Sequence, residues 1–184
     1  MRLFVSVDLP DRFAEPIEAL QEEVAAASGL DFTDPEQAHV TMKFLGDTPE
    51  RRLDPVQTAL ERAVETAGVE PFEATFGGLG VFPSLEYISV LWLGVEGGEE
   101  AFVRLQEPIE EELVSLGFEA EDHEFTPHVT LARMKHAGGK ELVQEFVQEQ
   151  DPTVGTMTVE EVRLTESTLT PDGPIYETVH RVPL

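Results

Sequence analysis

The tetrapeptide His-Val-Thr followed by an apolar residue occurs twice, and this repeat constrains the fold more than any other feature of the sequence. It begins at His39 in "HVTMKF" and again at His128 in "HVTLARM", 89 residues apart (128 − 39) in a chain of 184. Side chains alternate across a β-strand, so each copy places His and Thr on one face above a buried apolar face. The repeat therefore predicts two similar strands, one in each half of the chain.

The other patterns predict an α+β fold. Apolar residues at helical spacing predict four helices, which begin near Asp11, Pro49, Gly98 and Gly139, with eight strands around them. Pro108 is expected to kink or split the third helix. Since each half holds two helices and several strands, we expect two similar lobes, each a mainly antiparallel sheet with two helices, facing each other across a central cleft.

The expected domain organisation is a single bilobal domain over residues 1–184. The lobes cover approximately 1–95 and 96–184, and the strands around 71–95 could pair with either lobe. Beyond the tetrapeptide the two halves do not match residue for residue, so the repeat is architectural. We expect a monomer.

The charge of the chain limits its surroundings and its partners. Asp and Glu total 37 against 12 Lys and Arg, a formal net charge of −25. We expect an acidic surface suited to a high-salt cytoplasm, where surface charges are screened. Broad nonspecific binding to nucleic acid needs a large basic surface, so any nucleic-acid substrate must be bound through a small local site.

Cysteine and membrane signals are both missing from the sequence. Without cysteine there are no disulfides, thiolate metal sites or cysteine nucleophiles. The first ten residues lack the apolar core of a signal peptide, and no apolar run approaches the length of a membrane span. We therefore expect a cytoplasmic protein with no membrane association.

Two histidines on facing strands can supply both halves of an acid–base reaction near neutral pH. A neutral imidazole accepts a proton while a charged one donates a proton. Threonine hydroxyls can donate hydrogen bonds to anionic oxygens as charge builds up. A phosphodiester suits such a site, because attacking water needs a base and the departing alkoxide needs an acid.

The paired motifs resemble those of the two-histidine (2H) phosphoesterase superfamily, and specifically its RNA 2′,3′-cyclic phosphodiesterase branch, also called 2′-5′ RNA ligase. The resemblance covers most of the chain in the family's order. It rests on the stretches "MRLFVSVDLP", "AHVTMKFLGD", "GGLGVFP", "VLWLGV", "LGFEAEDHEFTPHVTLAR" and "LTPDGPIYE". One His-x-Thr-x motif is a weak signal, and its duplication makes it specific.

The resemblance implies hydrolysis of 2′,3′-cyclic phosphate ends of RNA to 2′-phosphates, with no metal or other cofactor. It implies that His39 donates a proton to the leaving oxygen and that His128 activates water. The residues alone do not separate these two roles. Thr41 and Thr130 are expected to hold the phosphate. Ligation, the reverse reaction, is a secondary expectation because water favours hydrolysis.

Two basic residues near the motifs are further candidates for contact with the substrate. Strict alternation places Lys43 on the face of His39, where it either contacts substrate or is a solvated lysine. Arg133 matches an arginine that commonly follows the second motif in the family. Alternation places Arg133 on the face opposite His128, so it contacts phosphate only if the strand departs from regular geometry, and otherwise forms an ion pair elsewhere.

The remaining histidines and the large aromatic residues have simpler interpretations. His123 and His136 lie in polar loops, and His180 in the last strand is expected to be a hydrogen-bonded structural residue. The simplest interpretation of the aromatic residues is burial in the core, although one exposed ring could stack on a terminal base. These aromatic residues are Phe44, Phe82 and Trp92.

Two other classes of function stay open. One is a metal-dependent hydrolase, although no HExxH or other tight ligand spacing is present. Activity that survives a strong chelator would exclude it. The other is a noncatalytic module that binds nucleotides or cyclic-phosphate ends without turnover.

Overall fold

The computed structural model describes residues 1–184, which form nine strands and four helices. The strands are β1 (Arg2–Asp8), β2 (Leu30–Phe32), β3 (His39–Asp47), β4 (Phe72–Pro83), β5 (Ile88–Gly97), β6 (Val129–Met134), β7 (Thr153–Val159), β8 (Glu161–Thr170) and β9 (Gly173–Pro183). The helices are α1 (Ala14–Glu23), α2 (Leu53–Ala67), α3 (Glu99–Ser115) and α4 (Lys140–Glu149). The predicted α+β class, with antiparallel strands and four helices, is confirmed.

All nine strands belong to one antiparallel sheet with the two His-Val-Thr strands at its centre. The order is β7-β4-β5-β6-β3-β1-β8-β9, and the short β2 adds to β6. Strands β3 and β6 meet where Val40 pairs with Val129. This seam separates two groups of four strands, and each group takes strands from both halves of the sequence. The division of the chain into lobes stays a prediction.

The sequence "TMTVEEVRLTEST" favours a single strand, but its residues belong to two strands that diverge at Glu160. Strand β7 pairs with β4 at one end of the sheet, whereas β8 pairs with β1 near the other end. The segment contains no Gly or Pro to mark the break, so local patterns gave no sign of it. The turn residues "TPDG" at 170–173 predict a hairpin between the last two strands. This turn is confirmed, since Thr170 pairs with Gly173 across Pro171 and Asp172.

The helices pack beside both groups of strands. Helices α2 and α3 pack beside β9 and β3, and α1 and α4 pack beside β6 and β4. Helix α3 is not split at Pro108, and it buries Phe102, Leu105, Ile109 and Leu113 in a continuous core of 35 residues. Burial of each such side chain stabilises the fold by roughly 1.5–3 kcal/mol. No helix combines the length and apolarity needed to cross a bilayer.

Candidate active site

The pairing of β3 with β6 brings the two motifs together on one face of the sheet. Because Val40 lies opposite Val129, the antiparallel register places His39 opposite Thr130 and Thr41 opposite His128. Diagonal neighbours such as the two histidines lie about 7–8 Å apart in a regular ladder. The two valines are buried, whereas the four polar residues are half-buried on the opposite face.

Each histidine ring is anchored in the same way by its own strand. The Nδ1–H of His39 donates to the Gln37 carbonyl at 2.9 Å, and the Nδ1–H of His128 donates to the Thr126 carbonyl at 2.7 Å. Both bonds reach the residue two positions earlier, and both leave Nε2 for other partners. In His39, Nε2 accepts a hydrogen bond from the Thr41 hydroxyl at 3.0 Å. The anchoring fixes the tautomer that a proton-accepting Nε2 requires.

Two aromatic rings flank each imidazole. The rings of Phe4 and Tyr176 lie 5.0 and 5.2 Å from His39, centroid to centroid. The rings of Phe82 and Trp92 lie 4.9 and 5.9 Å from His128. Phe82 and Trp92, predicted to be core residues, are instead half-buried at the site.

Burial lowers the pKa of both histidines below the ordinary value near 6.5. For His39 the hydrogen bond to Gln37 and the charge of Asp8 act in the opposite sense, while the charge of Arg133 adds to the lowering. For His128 the bond to Thr126 opposes burial, and the charges of Arg133 and His39 add to it. The free protein therefore favours two neutral imidazoles at neutral pH, and a bound anion would favour the charged forms.

A β-bulge follows the threonine in each motif strand. In β3, Thr41 pairs with Ser6 and Lys43 with Val5, so Met42 is an extra residue. In β6, Thr130 pairs with Trp92 and Ala132 with Leu91, so Leu131 is the extra residue. Each bulge turns two successive side chains toward the helices and reverses the alternation beyond it. Phe44 and Arg133 thus occupy equivalent positions on the face of the histidines.

The prediction that Lys43 lies on the face of His39, from which it could contact substrate, is wrong. The bulge at Met42 turns Lys43 toward α3, and its side chain is 0% exposed. Its ammonium group contacts both carboxylate oxygens of Glu110 at 3.1 Å and donates to the Glu119 carbonyl at 2.8 Å. A buried, fully partnered ammonium group has a structural role.

Because of the same bulge, Phe44 lies at the surface, although it was predicted to be buried in the core. Its side chain is not buried in the core but is 62% exposed, with its ring 6.3 Å from that of Phe4. Phe4 in turn contacts His39. Among the aromatic residues near the motifs, Phe44 is the exposed one that could stack on a base.

Arg133 lies on the motif face because of the bulge at Leu131. Its charge acts on both His39 and His128, and it forms no ion pair with any carboxylate. The side chain is exposed. The departure from regular strand geometry that a phosphate contact requires is therefore present.

Comparison with known proteins identifies the family. A family model described as the 2′-5′ RNA ligase superfamily matches residues 9–170. The chain belongs to the 2′-5′ RNA ligase superfamily. The RNA 2′,3′-cyclic phosphodiesterase of Methanothermobacter thermautotrophicus is 38% identical over 178 residues, which cover 96% of this chain and 95% of that protein. The protein of the same name from Archaeoglobus fulgidus is 36% identical over 180 residues, covering 96% and 97%. The resemblance noted in the sequence is confirmed.

Solved structures of similar fold cover nearly the whole chain. TT0787 of Thermus thermophilus has a TM-score of 0.80 and 31% identity, with coverage of 100% of this chain and 98% of that chain. E. coli LigT complexed with 3′-AMP has a TM-score of 0.82 and 22% identity, with coverage of 100% and 97%. The second likeness concerns the fold alone.

The surroundings of the paired motifs in this superfamily member are unevenly charged. A cavity of about 550 Å³ opens beside His39 and is lined in part by Asp8, Asp11, Glu36 and Glu161. A cavity of about 580 Å³ lies between α2 and the C-terminal residues and contains no motif residue. Because carboxylates repel anions, the Arg133 side of the motif face is more favourable for an anionic ligand than the side that faces this cavity.

The other histidines lie outside the site. His123 is exposed and pairs with Asp122 at 3.0 Å, and His180 pairs with Glu61 of α2 at 2.8 Å. The Nδ1 of His136 accepts from the Gly138 amide. No group of three or more His, Cys, Asp or Glu side chains is arranged to hold a metal ion.

Proposed function

We propose that this protein hydrolyses the 2′,3′-cyclic phosphate at RNA ends to a 2′-phosphate by metal-independent acid–base catalysis. The observation that carries the proposal is the pairing of Val40 with Val129, which sets two imidazoles with anchored Nδ1 atoms side by side. The relatives that cover nearly the whole chain are named RNA 2′,3′-cyclic phosphodiesterases.

The proposed reaction moves two protons. The Nε2 of neutral His128 accepts a proton from water as the water oxygen attacks phosphorus. The bond between phosphorus and O3′ breaks, and O3′ takes the proton from Nε2 of charged His39. The phosphate stays on O2′, and the two histidines exchange protonation states until solvent restores them.

The threonines and Arg133 are proposed to stabilise the phosphate. In the free protein the Thr41 hydroxyl donates to Nε2 of His39. When His39 is protonated, that nitrogen becomes a donor and the hydroxyl accepts from it, which frees the hydroxyl hydrogen for a nonbridging oxygen. Thr130 lies beside His39 across the seam and offers a second donor, while Arg133 balances the growing negative charge.

The activity is tested with a short RNA that ends in a 2′,3′-cyclic phosphate. We expect a 2′-phosphate product at the same rate with and without excess EDTA. A product with a 3′-phosphate would contradict the proposed leaving group, and loss of activity with EDTA would favour a metal-dependent hydrolase. Binding without turnover would favour a noncatalytic module.

Arg133 has a separate test. Replacement by Met is expected to lower kcat/KM about 10- to 100-fold, because a hydrogen bond to a charged group contributes roughly 1.5–3 kcal/mol. Replacement by Lys should recover part of the loss. The matched control is Arg181→Met, since Arg181 is an exposed arginine paired with Glu161. An Arg133→Met protein with the kcat/KM of this control would exclude the phosphate contact.

A further inference from the structure

Asp8 lies directly opposite His39 in the β1–β3 ladder. Residues paired in this way on one face have Cβ atoms about 4.5–5.5 Å apart. The carboxylate is held in place by other groups, since Oδ1 accepts from the Ser6 hydroxyl at 2.8 Å and Oδ2 accepts from Arg163 at 2.9 Å. Asp8 forms no hydrogen bond with the imidazole, so it acts on His39 through its charge.

The equivalent position beside His128 cannot hold a carboxylate. Trp92 pairs with Thr130 and Leu93 with Val129, so the next residue of β5, Gly94, lies opposite His128. A Cβ at Gly94 would lie 2.9 Å from the Gly77 carbonyl oxygen and 3.2 Å from the indole ring of Trp92. No side chain fits there without movement of the backbone, and the two histidines therefore face different neighbours.

We propose that Asp8 is a positioning residue for the catalytic proton: its charge holds that proton on His39, which makes His39 the donor and leaves His128 as the acceptor. The inference rests on the proposed function and adds a residue to it. The two motifs are identical in their first three residues, so the asymmetry of roles must come from outside them. The difference between Asp8 and Gly94 supplies it.

The other ionisable groups around His39 do not supply this asymmetry. His39 is faced by Arg133 of β6, by His128 just before β6 and by Tyr176 of β9. Arg163 of β8 reaches His39 only through Asp8. Arg133 acts in the same sense on both histidines. Carboxylates that line the neighbouring cavity without pairing with His39 are those of Asp11, Glu36, Glu160 and Glu161.

The effects on the two pKa values agree with the geometry. Burial lowers the pKa of each histidine, and among the charges near His39 that of Asp8 raises its pKa. Every charge that acts on His128 lowers its pKa, namely those of Arg133, His39 and His123. His39 is thus the imidazole that a carboxylate favours in the charged form.

The first test is Asp8→Asn, which removes the charge and keeps one oxygen that can accept from Arg163, while the new amide N–H can donate to the Ser6 hydroxyl. NMR titration of the histidine ring protons should show the pKa of His39 lowered by about 0.5–1 pH unit and that of His128 almost unchanged. In kinetics, His39 should lose its proton at a lower pH, so the alkaline limb of the kcat/KM profile should move to lower pH by the same amount.

The second variant, Arg163→Gln, removes the countercharge of Asp8. The carboxylate should then raise the pKa of His39 more strongly, and the alkaline limb should move to higher pH instead of lower pH. The matched control is Glu161→Gln, which removes one negative charge from the same ion-pair network, since Glu161 contacts Arg163 and Arg181. This control should move the His39 titration less than Asp8→Asn does.

The NMR readout keeps this inference separate from the proposed function. A wild-type protein without turnover would refute the function, while the titration of His39 would still test the influence of Asp8. An unchanged His39 titration in folded Asp8→Asn would overturn the inference, as would a shift confined to the acidic limb. If Asp8→Asn does not fold, Arg163→Gln decides the matter. An alkaline limb that does not move to higher pH in Arg163→Gln would overturn the inference.

Discussion

Replacement of either His39 or His128 by Ala is expected to lower kcat by about 10²–10⁴-fold on an RNA 2′,3′-cyclic phosphate. Each substitution removes one proton transfer, and general acid–base catalysis contributes about that factor. Combining the two should cost little more than one alone, because residues that act as a unit are not additive. The measurement is single-turnover hydrolysis of an end-labelled RNA, with circular dichroism to verify folding.

The matched control is His180→Ala. His180 is bound to Glu61 of α2 and lies outside the motif strands. Its replacement should leave kcat within about twofold, which corresponds to a change of at most about 0.4 kcal/mol in the barrier. A His39→Ala or His128→Ala protein with the kcat of this control would refute the assignment of that histidine.

The wild-type pH profile should be bell-shaped, with one limb for each histidine. The base works when neutral and loses activity as pH falls through its pKa, whereas the acid works when charged and loses activity as pH rises through its pKa. Since burial lowers both pKa values in the free protein, the kcat/KM bell should be centred below pH 6.5. An anionic substrate favours charged imidazoles, so the kcat bell should lie at higher pH. A monotonic kcat/KM profile would contradict a donor–acceptor pair.

Lys43→Ala is expected to lower the free energy of unfolding by about 3 kcal/mol and to leave kcat of the folded fraction nearly unchanged. The lysine side chain is 0% exposed and its partner Glu110 is 21% exposed. Removal of one member of a buried ion pair leaves the other charge buried without a partner and costs about 3–5 kcal/mol of stability. The lower value is expected here because Glu110 is partly exposed. Urea denaturation and turnover assays on the same preparation measure both quantities.

Two further variants test whether this loss of stability comes from the buried ion pair. Lys43→Met keeps the apolar stem, so it should destabilise the fold less than Ala does. Lys135→Ala removes a lysine that is 68% exposed and lies 3.8 Å from Asp31. This exposed pair should contribute at most about 1 kcal/mol. If Lys43→Ala is as stable as Lys135→Ala but loses kcat, the ammonium group acts on substrate and the structural role is wrong.

The fold class and the two motif strands follow from patterns that a sequence displays directly. Alternation in "HVTMKF" and "HVTLARM" depends on the two-residue period of a strand, and amphipathic helices show the same kind of local signal. The shared His-Val-Thr motif pointed to a common site because both copies carry the same polar pair on one face of a strand. The β3–β6 contact at Val40 and Val129 was expected only in outline.

The two bulges explain why strict alternation failed just beyond the motifs. One extra residue at Met42 moved Lys43 to the helices and Phe44 to the open face, and one at Leu131 moved Arg133 to the open face. A bulge depends on how a strand fits its neighbours, and neither "TMK" nor "TLA" contains a Gly that would signal one. Local sequence therefore carried no sign of these reversals.

Contacts between distant segments were also beyond the reach of the sequence. Asp8 lies 31 residues before His39 (39 − 8), and its importance depends on the register of β1 with β3. The divergence of β7 from β8 at Glu160 likewise depends on the partners β4 and β1. Such pairings are decided by packing across the whole sheet, where side chains compete for one buried face.

A crystal structure with the 2′-phosphorylated product bound would test most directly whether both imidazoles serve one phosphate. We expect a phosphate group whose oxygens lie within hydrogen-bonding distance, roughly 2.6–3.2 Å, of Nε2 of both His39 and His128. A phosphate held away from β3 and β6, or one that reaches only a single histidine, would contradict this expectation.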